Sequence, residues 1–376
     1  MFAKNIFDQL SEQGNKALEI ISKASYSPDL KKKLRTWGIT EVASLVGRSP
    51  NYIRQQEKEG KIPNPRYKNN KRYYTLQDIN FLRTYFNTGK NLVNKPACVL
   101  SFANFKGGAA KTTTAVNAAQ YFALNGYKVL LIDCDSQASS THMFGYSPDK
   151  DLLQEETILP FLTGNINSLS SLIKKTYWDG LDLIPANLAL YNAEFIIPTK
   201  CSESIQNNTK YDFYEILRGG LLSASQEYNI IILDCPPSLG MISINAIYAS
   251  NAIIVPTPTS MLDFTSTIQF FTMLKETFEK LSDKQFDFVK LMVTKHDNRS
   301  SSNAILKILR QLYGDYMMLN VMNQTEVIKK ASASMLTLYE IAKYDGAKKT
   351  LERALQNINS LNEEIENEII NFWKKR

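Results

Sequence analysis

The chain is poor in the residues that carry metal and redox chemistry. It has 376 residues but only four cysteines and two histidines. Cys98, Cys134, Cys201 and Cys235 form no C-x-x-C pair, and their scatter excludes a clustered iron–sulfur ligand set. Three of them lie in or beside apolar runs that read as buried strands, as expected of reduced core thiols in a cytoplasmic protein. His142 and His296 alone cannot supply a histidine triad or a histidine-rich metal site. No apolar stretch approaches the ~18 residues of a membrane-spanning helix. The N-terminus shows no signal-peptide core followed by a small-residue cleavage site, so a cytoplasmic location is expected.

What is present is a globular composition, 44% hydrophobic and 22% charged, long enough for more than one domain. The net charge of +7 is unevenly spread. Residues 1–99 carry 18 Lys and Arg against 8 Asp and Glu, a net of +10; residues 100–376 carry 26 against 29, a net of −3. The first hundred residues therefore contain a basic module whose first candidate partner is nucleic acid.

The most informative run is residues 104–114, Asn-Phe-Lys-Gly-Gly-Ala-Ala-Lys-Thr-Thr-Thr. It follows the apolar run 97–102 and leads into an alanine-rich helical pattern, 113–126. Strand, glycine turn, Lys-Thr, helix is the setting of a phosphate-binding loop. Backbone N–H groups of Gly107, Gly108, Ala109, Ala110, Lys111, Thr112 and Thr113 can face an anion together. Lys111 suits the β- and γ-phosphates, and the Thr112 hydroxyl suits Mg²⁺.

Residues 97–376 alternate strand and helix patterns, which predicts an α/β domain with a mostly parallel sheet covered on both faces. Run 128–133 ends in Asp133, with Asp135 two residues on. Run 229–234 ends in Asp234 and is followed by Cys235-Pro236-Pro237. Carboxylates at the carboxyl ends of such strands are where nucleotide chemistry sits. Asp234 occupies the Walker B position, a hard oxygen ligand acting through water on Mg²⁺. Runs 252–258 and 288–294 read as two further strands.

Upstream, residues 39–60 have helix-turn-helix spacing. Thr40 reads as the cap of a first helix, Gly47 as the turn, and Ser49 with Pro50 as the start of a second helix that ends before Gly60. Its early residues Asn51, Tyr52, Arg54 and Gln55 suit base edges and phosphates. Residues 63–74 read as a hairpin wing turning near Asn69-Asn70 and carrying Lys68, Lys71 and Arg72. Thr75 and Asp78 open a third helix. Residues 5–24 have an amphipathic pattern (Ile6, Leu10, Ala17, Ile20, Ile21) that suits a dimerisation helix and a helix packed on its own domain equally. The expected domains are 1–36, 37–95 and 96–376.

Two resemblances follow from these motifs. The pattern Lys106-Gly-Gly-x-x-Lys111-Thr, with Ala110 where a glycine is usual, resembles the deviant Walker A loop of the ParA/MinD group of P-loop ATPases. Asp135-Ser-Gln resembles the group's Asp-Pro-Gln, with Ser136 in place of proline, and Thr337-Leu-Tyr-Glu340 also resembles ParA sequences. Residues 39–86 resemble the MerR-type winged helix-turn-helix. Together they match the larger, plasmid-type ParA partition ATPase.

The resemblance implies ATP, ADP and Mg²⁺ as ligands, and a homodimer closed face to face, with Lys106 reaching the partner subunit's nucleotide. It implies that Asp135 positions the attacking water and that Asp133 supports the loop or the Mg²⁺ shell, while the paired prolines Pro236 and Pro237 stiffen the segment that must sense the γ-phosphate. The adenine wall is expected near Thr294, Lys295 and Asn323. A ParB-type partner would stimulate hydrolysis. The dimer would bind DNA nonspecifically, with Lys329 and Lys330 among the contacts, and the winged module would bind an operator. Such a protein is nucleoid-associated.

Two alternatives are weighed. A MinD-like membrane ATPase would use a basic amphipathic tail. Residues 369–376 have an apolar face and a basic end, but Glu363, Glu364, Glu366 and Glu368 precede them and would repel anionic lipid. A helix docked on the body is the preferred reading. A nucleotide-responsive transcription regulator is the second alternative, against which Lys111, Asp135 and Asp234 are all in place for hydrolysis.

Overall fold

The computed structural model describes residues 3–25, 32–92, 94–281, 284–342 and 346–376. It divides into two compact units, Met1–Leu34 and Arg35–Arg376. Among its described residues the first contains the helix Ala3–Ser25, with Ile6, Phe7 and Leu10 exposed. The side chains of Ile20 and Ile21 lie outside those described.

The second unit begins with the winged module. Its first helix, Ile39–Val46, starts earlier than Thr40. Extended Gly38 precedes it, and the Glu41 carboxylate accepts the Gly38 N–H at 3.2 Å. Gly47 ends the helix at φ +66°, in the left-handed region that glycine enters freely. Ser49 caps the helix Pro50–Lys58 by accepting the Tyr52 N–H at 3.2 Å. Strands β1 (Arg66–Lys68) and β2 (Lys71–Tyr73) form the wing. Asn69 and Asn70 turn it with φ +49° and +57°, the paired positive values of a tight hairpin turn. Thr75 and Asp78 exchange hydrogen bonds in a capping box at the start of the helix Leu76–Tyr85. Val42, Val46, Ile53, Ile79 and Leu82 close the module's core.

The body is built on β3 (Cys98–Phe102), β4 (Val129–Asp133), β5 (Lys174–Lys175), β6 (Leu181–Ile184), β7 (Ile230–Asp234), β8 (Ala252–Pro258) and β9 (Phe288–Thr294). Their order is β5-β6-β4-β7-β3-β8-β9; only β5 is antiparallel to its neighbour. Strands β3, β4 and β7 are buried along their whole length. Val99, Leu130, Ile132, Ile231 and Leu233 share one core with Leu217, Leu221, Ile242 and Ala246 of two flanking helices. The alternate residues Leu100, Leu131 and Ile232 are equally buried, because helices cover both faces.

The helix Lys111–Leu124 is buried from Thr114 onward, which accounts for its run of small residues. The C-terminal helix Lys348–Lys374 buries Ile365, Ile369, Phe372 and Trp373. Glu366 on this helix accepts hydrogen bonds from Tyr121 and Tyr127 at 2.9 and 2.6 Å and pairs with Lys90. The Trp373 indole donates to the Pro96 carbonyl at 2.8 Å. The tail's apolar face is thus spent on the body, as the docked-helix reading expects.

One buried arginine joins module and body. Arg83, on the third helix of the winged module, is 6% exposed. It donates to the Leu124 carbonyl at 2.6 Å, to Leu45 O at 3.2 Å and to Asn80 Oδ1 at 2.8 Å. Burial lowers its pKa to about 10. Leu124 is the last residue of the helix that starts at the phosphate-type loop, so a cation sits at that helix's negative end. Replacing Arg83 with Ala orphans two carbonyls and should cost about 2–4 kcal/mol. Lysine, lacking the planar fork, should recover little of it. The urea midpoints of the three proteins measure this; an Arg83→Ala midpoint equal to that of the unmodified chain would refute it.

Candidate functional site

The register of the central strands brings the carboxylates together. Asp133 and Asp234 are direct partners at the ends of β4 and β7, and Phe102, at the end of β3, pairs with Asp234. The glycine loop leaves β3 at that end, so loop and carboxylates share one edge of the sheet.

The loop is held open by two left-handed residues, Gly108 at φ +74° and Ala110 at φ +72°. Buried Asn104 braces its entrance, donating to Pro256 O at 2.9 Å and accepting the Lys106 N–H at 3.1 Å. Thr294 lies beneath the loop, fully buried, and donates to the Ala109 carbonyl at 3.0 Å. It supports the loop rather than lining an open wall. Gly107 is exposed, and Thr112 and Thr113 are half-buried at the helix start.

Lys111 is 6% exposed, and its ammonium donates to the Lys106 carbonyl at 3.2 Å. Burial lowers its pKa, while Asp234, Cys235 and Asp135 pull the other way. Among the described residues, no carboxylate lies within ion-pairing distance of it. Lys106, by contrast, is half-exposed and lies 3.8 Å from Asp263.

Each carboxylate has its own support. Asp133 accepts the Thr141 N–H at 2.9 Å, the Thr141 hydroxyl at 2.8 Å and the Asp135 N–H at 3.1 Å. Burial, reinforced by Asp234, still pushes its pKa up. Asp234 is also pushed up by burial, with Asp135 adding to the shift; the Ser140 and Thr112 hydroxyls and Lys111 oppose it. Its Oδ2 accepts the Ser140 hydroxyl at 2.7 Å, while the buried Oδ1 has no hydrogen bond. Asp135 accepts the Gln137 N–H at 2.9 Å in a turn that places Ala138 at φ +52°. Pro236 is buried and Pro237 exposed. The Cys134 and Cys235 thiols are raised by burial, as inert core thiols are.

The donor set fits a hard divalent cation: a buried carboxylate oxygen without a partner, a threonine hydroxyl beside it, and no soft ligand. A cavity of about 610 Å³ opens beside the loop, lined by Thr259, Ser260, Asp263, Lys295, Asp297 and Gln324 among others. Thr294 is not among its lining residues, whereas its neighbour Lys295 is. Asn323 pairs with His296 next to it.

Among the other predicted site residues, Asn51, Tyr52, Arg54, Lys68 and Lys71 are exposed on the winged module. Arg54 is steadied by Asn51 Oδ1 at 3.1 Å. Arg72 differs: its guanidinium pairs with buried Glu57, which also accepts the Tyr74 hydroxyl at 2.6 Å. That pair braces the wing to the second helix, so Arg72 already has a partner within the module. Lys329 and Lys330 are exposed, with Lys329 paired to Glu326 one turn away. The sequence reading missed the roles of Asn104, Ser140 and Thr141. The pair Ser140-Thr141 soon after Asp135-Ser-Gln was the available signal.

A glycine loop on a buried lysine, facing two strand-end carboxylates, defines a P-loop nucleotide-binding α/β domain. Residues 97–288 match the AAA domain family, and residues 38–87 match the MerR HTH family regulatory proteins. The chain is 34% identical to the protein SopA of Escherichia coli K12, over 87% of this chain and 86% of SopA. It is 30% identical to a putative replication protein A of Sinorhizobium fredii, over 98% of this chain and 95% of that one. A solved structure titled partition protein superimposes with a TM-score of 0.69 at 19% identity, covering 98% of this chain and 99% of that one. The chain belongs to the ParA-type partition ATPases, in the larger plasmid type with a MerR-like N-terminal module.

Ala110 generates a test. An alanine held in the left-handed region costs about 1 kcal/mol, which glycine relieves. Ala110→Gly should therefore raise the thermal midpoint without weakening nucleotide binding. A lowered midpoint would show that the alanine methyl is needed by its surroundings.

Proposed function

We propose that this chain is an ATP-driven DNA segregation switch whose winged module also represses from an operator. The observation that carries the nucleotide reading is Lys111, a buried cation bonded, among the described residues, only to a backbone carbonyl at the mouth of the loop. Such a charge is matched by a phosphate. The N–H groups of residues 107–113 would bind the phosphates, with Thr294 bracing the loop at Ala109. Thr112, and Asp234 through water, would hold Mg²⁺, which supplies positive charge at the phosphate oxygens. In a neighbour, a cobyrinic acid a,c-diamide synthase of Mycobacterium smegmatis (TM-score 0.53, 26% identity), an ATP analog and magnesium are bound. That protein covers 65% of this chain, and the match spans 91% of it.

Asp135 would orient the attacking water, and Asp133 holds the turn that carries Asp135 through its N–H. The cavity beside Lys295 suits the base and ribose. Pro236 would carry the presence of the γ-phosphate into the segment after β7. Two subunits would close over ATP, with Lys106 of each stabilising charge on the other's phosphates. The closed dimer would bind DNA through backbone phosphates, with Lys329 and Lys330 as contacts. A ParB-type centromere-binding protein would stimulate hydrolysis and release it. Absorption of the tail's apolar face by the body favours this over a membrane role.

Three variants separate the steps. Lys111→Ala should lose ATP binding in a fluorescent-nucleotide titration. Asp135→Ala should bind ATP but turn over at least about 100-fold more slowly. Lys106→Gln should bind nucleotide yet give no ATP-dependent dimer by light scattering. Unchanged binding in the first, turnover in the second or dimerisation in the third would reassign that residue.

The winged module makes its own prediction. Exposed Arg54 on the second helix should read a base, so Arg54→Ala should cost about 1–3 kcal/mol of discrimination between operator and random DNA. Lys71→Ala on the wing should weaken all sequences alike and lower the salt slope by about one. Equal loss on both DNAs for Arg54→Ala would make it a phosphate contact instead.

A further inference from the structure

We propose that Ser140 is a positioning residue for the Mg²⁺ carboxylate, fixing which oxygen of Asp234 faces the metal. The proposal rests on the reading of Asp234 as that carboxylate. Ser140 is fully buried in the short helix Ser139–Met143 that follows the Asp135 turn. Its hydroxyl donates to Asp234 Oδ2 at 2.7 Å. The other oxygen, Oδ1, is buried and has no hydrogen-bond partner among the described residues. A carboxylate turns broadly about its last torsion, so a hydrogen bond to one oxygen decides the direction of the other.

The neighbouring residue divides the labour. Thr141 gives its hydroxyl and N–H to Asp133, on the adjacent strand. Consecutive hydroxyls on one helical turn thus hold two carboxylates that sit side by side in the sheet register. Without Ser140, Asp234 is left to the Thr112 hydroxyl and to Lys111, both of which act on it, and can turn toward the lysine. The cation site would then be lost to an internal pair. Outer-shell partners of this kind typically change metal affinity by about 10–100-fold.

The test reads metal dependence rather than turnover. Binding of the fluorescent nucleotide mant-ADP is followed in the full chain while Mg²⁺ is titrated, and again in EDTA. Ser140→Ala should raise the half-saturating Mg²⁺ by about tenfold, with mant-ADP affinity in EDTA unchanged within about twofold. Ser140→Thr, which keeps the hydroxyl, should restore the original Mg²⁺ requirement. If Ser140→Ala fails to fold by circular dichroism, Ser140→Cys replaces it; a weak sulfur donor of similar bulk should also raise the requirement. A folded Ala or Cys variant with the unmodified chain's Mg²⁺ requirement overturns the proposal. A Mg²⁺-independent affinity in the unmodified chain would instead overturn the reading of Asp234 as the Mg²⁺ carboxylate, and the proposal with it.

Discussion

Putting several carboxylates and a lysine into one desolvated corner is the constraint on which the rest of the body depends. Parallel pairing of β4 and β7 ends both strands in aspartate at the same level. Two buried carboxylates at neighbouring positions resist ionisation, and both Asp133 and Asp234 are displaced upward accordingly. The fold offsets this with short hydroxyl side chains and with Lys111, not with further ion pairs. That choice leaves one oxygen of Asp234 and one side of Lys111 uncommitted. A fully satisfied network would have been more stable and without use as a site.

The helix Lys111–Leu124 transmits this corner to the rest of the molecule. Its first turn belongs to the loop, its flank is buried against the sheet, and its last carbonyl is taken by Arg83. Tyr121 in its last turn and Tyr127 just beyond its end bond to Glu366 of the last helix, and Lys90 closes the same cluster. Nucleotide loop, winged module and C-terminal helix therefore meet on one rigid element.

Much of this was legible in the sequence, for reasons that differ by element. The loop, the strands ending in Asp133 and Asp234 and the Asn69-Asn70 wing turn are local signals: apolar runs, glycine placement and residues that accept positive φ. The start of the first wing helix at Ile39 was missed because Glu41 reaches back to Gly38, an interaction that competes with the apparent Thr40 cap. Arg72 looked like a free cation because its partner, Glu57, lies on another element and charge counts do not see pairing. Arg83 was invisible for the same reason: a count assigns every arginine to the surface, whereas this one is buried at a carbonyl of the body. Thr294 was placed at the right strand end, but alternation along β9, whose last four residues are all buried, does not say which neighbour its hydroxyl meets.

Little holds Lys106, the side chain proposed to act on a second subunit's phosphates. Its contact with Asp263 is long, at 3.8 Å, and the lysine is about 40% exposed. Pairs of this kind contribute at most about 1 kcal/mol, and salt screens them. Asp263 sits in the first turn of the helix Met261–Lys280, beside its cap Ser260, so its charge is already stabilised without the lysine. The lysine can therefore leave at small cost for a phosphate, whose multiple charge and several acceptors outbid a single screened carboxylate. Lys111, buried and bonded to the loop's own backbone, has no such freedom. The two lysines of one short loop thus differ in burial and in bonding: Lys111 is held by the loop's own backbone, and Lys106 only by a long contact at the surface.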